Sequence, residues 1–239
     1  MTVVSDFTAI LSGTSVHGSS GKGAFYTFSF LTSVQDYHAS RYSAEALASF
    51  RPLFASEKAA ARIALDAWAS QSGLTFFEVP GGEGDIVFGV YDMALMGFGN
   101  FAGFAFYPGG RFDNPITSDI FLGSNAAGNM HLLLHEIGHA IGLKHPHEDD
   151  PTLEPALDDY SASVMSYKSG GHSGQTLGTL DLQAIHFLYG NAGADGGQLR
   201  CGGHRATSRA VRTRDRPAVR LPRSRCSGVG GSVRTAPRA

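Results

Sequence analysis

Residues Ala24 to Leu31 read Ala-Phe-Tyr-Thr-Phe-Ser-Phe-Leu, an aromatic and β-branched run that fits a half-buried pleated surface and predicts a strand. From Ser56 the pattern changes to helical spacing: Ala60, Ile63, Ala64, Ala67 and Trp68 recur at i, i+3, i+4, i+7 and i+8, with Ser56 the expected N-cap and Gly73 the expected stop. Two short apolar runs, Leu74 to Val79 and Asp85 to Val90, are split by Pro80-Gly81-Gly82 and predict two strands. Phe104 to Tyr107 and Ile116 to Leu122 predict two more. Asn129 to Gly142 returns to helical spacing through Leu133, Ile137, Ala140 and Ile141, with its histidines on another face and a glycine at its end. A polar, proline-containing loop follows. Asp181 to Tyr189 is then a last helix, with Asp181 favoured near its start by the helix dipole and Gly190 closing it. Strands mixed with two early helices, then a loop and a closing helix, make an α+β domain.

Composition divides the chain. Eight of the 19 Lys and Arg residues precede position 195, and the other eleven, all arginines, follow residue 199, where Asp215 is the only acid. The body therefore carries a net charge of -12 and the tail +10, within an overall -2. Gly196 to Ala239 has no period and few large apolar residues, so it is expected to be disordered. Both cysteines, Cys201 and Cys226, lie in that tail, which leaves the body without a disulfide framework or a cysteine metal site. No apolar run approaches the roughly 20 residues of a membrane span. Met1 to Leu11 lacks a basic start and an h-region, so no cleavable signal is expected there.

The chemistry concentrates in His135-Glu136-Ile137-Gly138-His139. Two imidazoles four residues apart sit about 40° apart on a helix and can reach one metal ion, while Glu136 projects about 60° from His139, able to address a water beside that ion. The pattern extends to Gly142 and His145. At about one in twenty per fixed position, this lowers accidental matching from roughly one chain in thirty to roughly one in ten thousand. A helix continuing past Gly142 would carry residue 145 about 9 Å beyond His139. A glycine in a left-handed conformation can stop the helix and turn His145 back as third nitrogen ligand. Three ligands leave a fourth position for water, as in a catalytic zinc site.

His135 to Pro146 (HEIGHAIGLKHP) and Ser163 to Tyr167 (SVMSY) resemble the serralysin branch of the metzincins. The likeness runs over roughly residues 7 to 190 and includes Tyr26 to Leu31, the helix ending in Trp68, Gly84 to Gly89, Phe104 to Pro108 and Asp181 to Gly190. It implies a metzincin-type zinc protease domain: a twisted mixed sheet, two long helices, a Met-turn and a C-terminal helix. Its N-terminal part would be about 1–142 and its C-terminal part about 143–190, with the cleft between them. It implies that Met165 is the Met-turn residue, an apolar support and not a ligand, and that Tyr167 helps stabilise the oxyanion. Phe104, Ala105 and Phe106 would form the edge strand on which a polypeptide substrate adds by backbone hydrogen bonding. The expected activity is zinc-dependent endopeptidase action by a monomer with Glu136 as general base, after export through an uncleaved C-terminal signal. That signal is not evident here, which leaves cytoplasmic retention as the alternative.

Relatives of this kind continue into acidic, glycine-rich calcium-binding repeats, so Ca2+ is implied by resemblance, yet only Gly193-Ala194-Asp195-Gly196-Gly197 resembles an entry into them. The segment 191–239 reads as a frameshifted product or a diverged remnant of those repeats. Two rival functions follow: a truncated pseudo-protease that binds zinc and polypeptide without turnover, and a nucleic-acid binder using the basic tail, which is not the expected partner. His147-Glu148-Asp149-Asp150 and Asp158-Asp159 lack the alternating spacing of a calcium loop and read as solvated acidic surface. The histidines outside the extended motif have no ligand spacing and read as surface or satisfied core residues.

Overall fold

The computed structural model describes residues 2–15, 21–109 and 118–192, which belong to one compact unit. The tail beyond residue 192, Ile116 and Thr117 of an expected strand, and the Gly193 to Gly197 segment lie outside the described residues.

Short N-terminal elements come first: β1 (Val3–Val4) and a 3-10 turn at Phe7–Ile10, which Asp6 caps by accepting from Thr8 N. Then follow β2 (Ala24–Phe30), α1 (Asp36–Ala39), α2 (Ala44–Ala48), α3 (Ala55–Ser70), β3 (Leu74–Glu78), β4 (Ile86–Tyr91), β5 (Gly103–Ala105) and β6 (Ser118–Gly123). The chain continues through α4 (Met130–Ala140), β7 (Thr152–Leu153) and α5 (Thr179–Tyr189). The larger sheet has the order β3-β2-β4-β6-β5, parallel throughout except for β5, which runs antiparallel on the edge. Every residue of β4 is buried, which explains its unbroken apolar run: a strand covered on both faces has no polar side to show.

One face of the sheet packs through Phe28, Phe88, Val90, Ile120 and Leu122 against α3 and α4. The buried stripe of α3 is Ala61, Ala64, Leu65 and Trp68; Ala64 and Trp68 lie where expected, Ala60 and Ala67 pack at its edge, and Ile63 is 58% exposed. Turning the helix this way buries Leu65 beside Trp68, whose indole Nε1 donates to Leu134 O of α4 at 3.2 Å. Ser56 is not the cap. The helix starts at Ala55, and Glu57 satisfies the free Phe54 N–H at 2.7 Å while taking a bidentate ion pair from Arg51. The helix also stops before Gly73, with Gln71 as its C-cap.

The other face carries a second, aromatic core of Tyr91, Met93, Met96 and Phe121. Within it His38 is buried, with Nδ1 3.1 Å from Tyr91 Oη and Nε2 3.4 Å from Asp119, whose carboxylate also accepts from Tyr37 Oη at 3.0 Å. Phe104 of β5 stacks on Phe98 with ring centroids 4.1 Å apart, so this core supports the edge strand.

Helix α4 ends in a glycine-terminated Schellman arrangement. Gly142 N donates to His139 O at 3.0 Å, Leu143 N donates to Gly138 O at 2.9 Å, and Gly142 has φ 105°. The turned chain is captured by the N-terminal segment: Ser12 N donates to Gly142 O at 3.0 Å and Lys144 N to Ile10 O at 2.8 Å, and β1 pairs in parallel with β7. A Cβ on Gly142 would lie 2.3 Å from Thr14 O. Gly142→Ala should therefore cost about 2 kcal/mol from the positive φ alone, lowering the melting temperature by roughly 4–8 °C. Thermal unfolding that shows no change would refute this account of the helix stop.

Candidate metal centre

Helix α4 is capped by Asn129, whose side chain accepts from Leu132 N at 3.0 Å. Further along, His135 and His139, about one turn apart, emerge on the same side, both about nine-tenths buried. The stop at Gly142 brings His145 back to them: its Nε2 lies 3.1 Å from His135 Nε2 and 3.0 Å from His139 Nε2. The opposite ring nitrogens face acceptors. His135 Nδ1 is 2.8 Å from Val164 O, His139 Nδ1 2.8 Å from Leu143 O, and His145 Nδ1 2.7 Å from Glu148 Oε2. Carbonyl and carboxylate oxygens only accept, so each Nδ1 carries the proton and each Nε2 turns a lone pair toward the other two. Burial keeps the rings neutral, holding His139 down to about 3, with His135 and His145 lowered in the same direction.

Three convergent lone pairs call for a cation. Separations of 3.0 and 3.1 Å sit close to the edge of about 3.3 Å expected for a tetrahedron with zinc–nitrogen bonds of about 2.0–2.1 Å, so the donor set fits zinc. Among the described residues, this trio and His145-His147-Glu148 are the groups whose ligand atoms come together.

Met165 lies buried beneath α4, where a Cβ on Gly138 would come within 2.5 Å of its sulfur and 3.4 Å of Trp68 Cζ2. A glycine between the two helical histidines therefore lets the thioether reach the helix backbone. The turn around Met165 is fastened by Asp181 of α5, fully buried, which accepts from Ser163 Oγ at 2.6 Å, Val164 N at 2.9 Å and Gly178 N at 2.7 Å. Burial still pushes its carboxyl up to about 6. Because Val164 O is the acceptor for His135, Asp181 acts on the first ring at one remove.

The trio opens into a cleft of about 700 Å³, walled on one side by residues 100–107, including all of β5, and on the other by His131, Leu132, Tyr160 and Tyr167. Phe104, Ala105 and Phe106 stand along that wall, although the strand itself covers Gly103–Ala105. Glu136 is 3% exposed, and among the described residues its Oε2 has no hydrogen-bond partner. A Cβ on Gly103 would lie 2.8 Å from Glu136 Oε1, so the edge strand meets this carboxyl only because residue 103 has no side chain. Tyr167 is 54% exposed, its hydroxyl 3.5 Å from His145 Nδ1, on the side of that ring away from the convergent nitrogens.

Gly103, Glu148 and Lys144 were not legible as site residues. The acidic run at Glu148 is not merely solvated surface: Glu148 holds His145, and Asp150 accepts from Thr2 N and from Thr2 Oγ1, the latter at 3.1 Å. The spacing of Glu148 three residues after His145 was the available signal.

The profile of the matrixin peptidase family matches residues 49–190. The chain belongs to that family. It is 31% identical to serralysin G of Dickeya chrysanthemi over 196 residues, 71% of this chain and 40% of the relative. It is 31% identical to metallopeptidase AprA of Pseudomonas marginalis over 194 residues, with 69% and 39% covered. With serralysin C of Dickeya chrysanthemi the identity is 33% over 195 residues, with 71% and 40% covered. The chain thus spans about two fifths of the length of these relatives, and the matched part is a serralysin-like metzincin domain of α+β class. Membership implies zinc as the metal. No helix among the described residues is long and apolar enough to cross a membrane.

Desolvation raises the Glu136 carboxyl from 4.5 to about 8 in the metal-free protein. The folded state then holds a proton that the unfolded chain releases near pH 4.5, so this stabilisation is complete below that pH and is lost as pH rises through about 8. Relative to Glu136→Gln, which cannot ionise, metal-free wild type should lose stability across that window and level off above it. Urea denaturation at several pH values compares the two, and parallel curves would contradict the assignment.

Proposed function

We propose that the chain is a zinc-dependent endopeptidase, and the observation that carries this reading is a buried carboxyl, one oxygen of it unpartnered among the described residues, beside three convergent imidazoles in an open cleft. The catalytic unit would end near residue 190, where α5 closes and the family match stops. Its cleft lies between a part of about 1–142 and a smaller part of about 143–190.

A polypeptide substrate extends along the cleft and pairs with the free edge of β5, using the backbone of Phe104, Ala105 and Phe106. His135, His139 and His145 would hold the zinc, which would supply Lewis-acid polarisation and a water of lowered pKa. Glu136 takes the proton of the attacking water on its free oxygen and delivers it to the leaving amine. Tyr167, whose burial pushes its hydroxyl up to about 12, stays protonated at neutral pH and can donate to the developing oxyanion. Met165 supports the histidines from below without ligating. By family resemblance the enzyme would act after export.

Casein cleavage compared between wild type and Glu136→Ala, with zinc content measured on both, tests the reading. Activity should fall roughly 10²- to 10⁴-fold with zinc retained. A wild type that holds zinc and cleaves nothing is instead the non-catalytic binder.

Gly103→Ala supplies a second check. Its Cβ must displace Glu136 or the edge strand, and kcat should fall on the order of 10-fold while zinc content is unchanged. Steady-state kinetics that match wild type would show that Glu136 is not placed by this contact.

A further inference from the structure

The three imidazoles are not held alike. His135 and His139 sit on a helix and point their Nδ1–H groups at backbone carbonyls, each fixed by its own turn: Val164 O above the Asp181 clamp and Leu143 O within the helix stop. His145 sits on irregular chain beyond that stop, and its ring finds a side chain instead. Glu148 Oε2 lies 2.7 Å from His145 Nδ1, while Tyr167 Oη is 3.5 Å away.

A side-chain acceptor orients a ring only if its own backbone is held. Here Lys144 does this from beneath. It is 3% exposed, and its Nζ donates to Glu148 O, to Ala9 O at 2.6 Å and to Pro151 O at 2.9 Å. Three carbonyls thus close around one ammonium, joining the N-terminal segment to both sides of the loop. Glu148 N donates back to His145 O at 3.3 Å and Leu153 N to Pro146 O at 2.7 Å, completing a short closed structure that contains His145 and Glu148.

We infer that Glu148 is a positioning residue for the third imidazole, orienting it and strengthening its hold on zinc, with Lys144 as the anchor that keeps Glu148 in place. The inference rests on the zinc reading of the trio. An ionised carboxylate accepting from Nδ1–H makes a stronger bond than a neutral carbonyl and raises the basicity of the opposite nitrogen. The most weakly templated ring therefore receives the strongest orienting partner. Glu148 itself need not touch substrate or metal for this.

Zinc affinity, measured on the metal-free full chain by competition with a chromophoric chelator and without substrate, tests it. Glu148→Ala should bind zinc about 10- to 100-fold more weakly than wild type. Glu148→Gln should fall between the two, because its amide oxygen still accepts from Nδ1–H but carries no charge. Should the alanine variant fail to fold, as its metal-free melting temperature would reveal, the nearly isosteric glutamine variant still decides. Affinity within twofold of wild type in the folded alanine variant, or in the glutamine variant where alanine does not fold, would overturn the inference. So would a glutamine variant no better than a folded alanine one, since orientation would then contribute nothing. A wild type that takes up no zinc would instead remove the zinc reading beneath it, an outcome distinct from equal zinc binding by all three proteins.

Discussion

Three ring nitrogens lie within 4.8 Å of one another, His145 Nε2 at 3.1 and 3.0 Å from the other two; their lone pairs repel, and a chain free to move would separate them. The fold prevents this by fixing each ring through its far nitrogen. Two of those fixings belong to the backbone and one to a carboxylate, so the orientation of each ring rests on groups of the chain itself. Burial, which keeps the rings neutral, also removes the simplest way of relieving the repulsion, namely protonation of one ring. What is left is an affinity for a cation.

The second consequence of burial falls on Glu136. A carboxyl in the same dry region, without a partner for one oxygen, holds its proton to about pH 8 in the metal-free state. Desolvation therefore works in opposite directions on neighbouring groups, discharging the bases and protonating the acid, and both effects favour a site that waits for positive charge. The aromatic core on the far side of the sheet contributes indirectly: by packing Phe104 on Phe98 it stiffens the strand whose Gly103 faces the carboxyl.

Much of this was legible in the sequence because it is local. The histidine spacing and the helix-stopping glycine all lie within eleven residues, so helix geometry alone brings the rings together. The strands of the larger sheet were likewise visible as aromatic or apolar runs, and the three longer helices through helical spacing or their end residues. The failures have a common cause. Ile63 was expected in the core because its spacing fits a stripe as well as that of Leu65 does, and only packing against α4 through Trp68 chooses between them. Short elements such as α1, α2 and β7 hold too few residues to show a period. Asp181 reads as a helix-start residue, and nothing local shows that it also receives Ser163 and Val164 from across the chain. Gly103 falls just before the expected Phe104 to Tyr107 strand and shows no role until the carboxyl opposite it is seen.

Lys144 gives the loop around His145 an ion of its own. Where many proteins bind a dissolved cation among backbone oxygens, here the charge is covalently attached to the chain, and no chelator can strip it away. If the trio holds zinc as proposed, a reagent that removes the metal would leave the socket of the third ring standing, and loss and recovery of the metal would be an exchange at an existing site with no refolding between them.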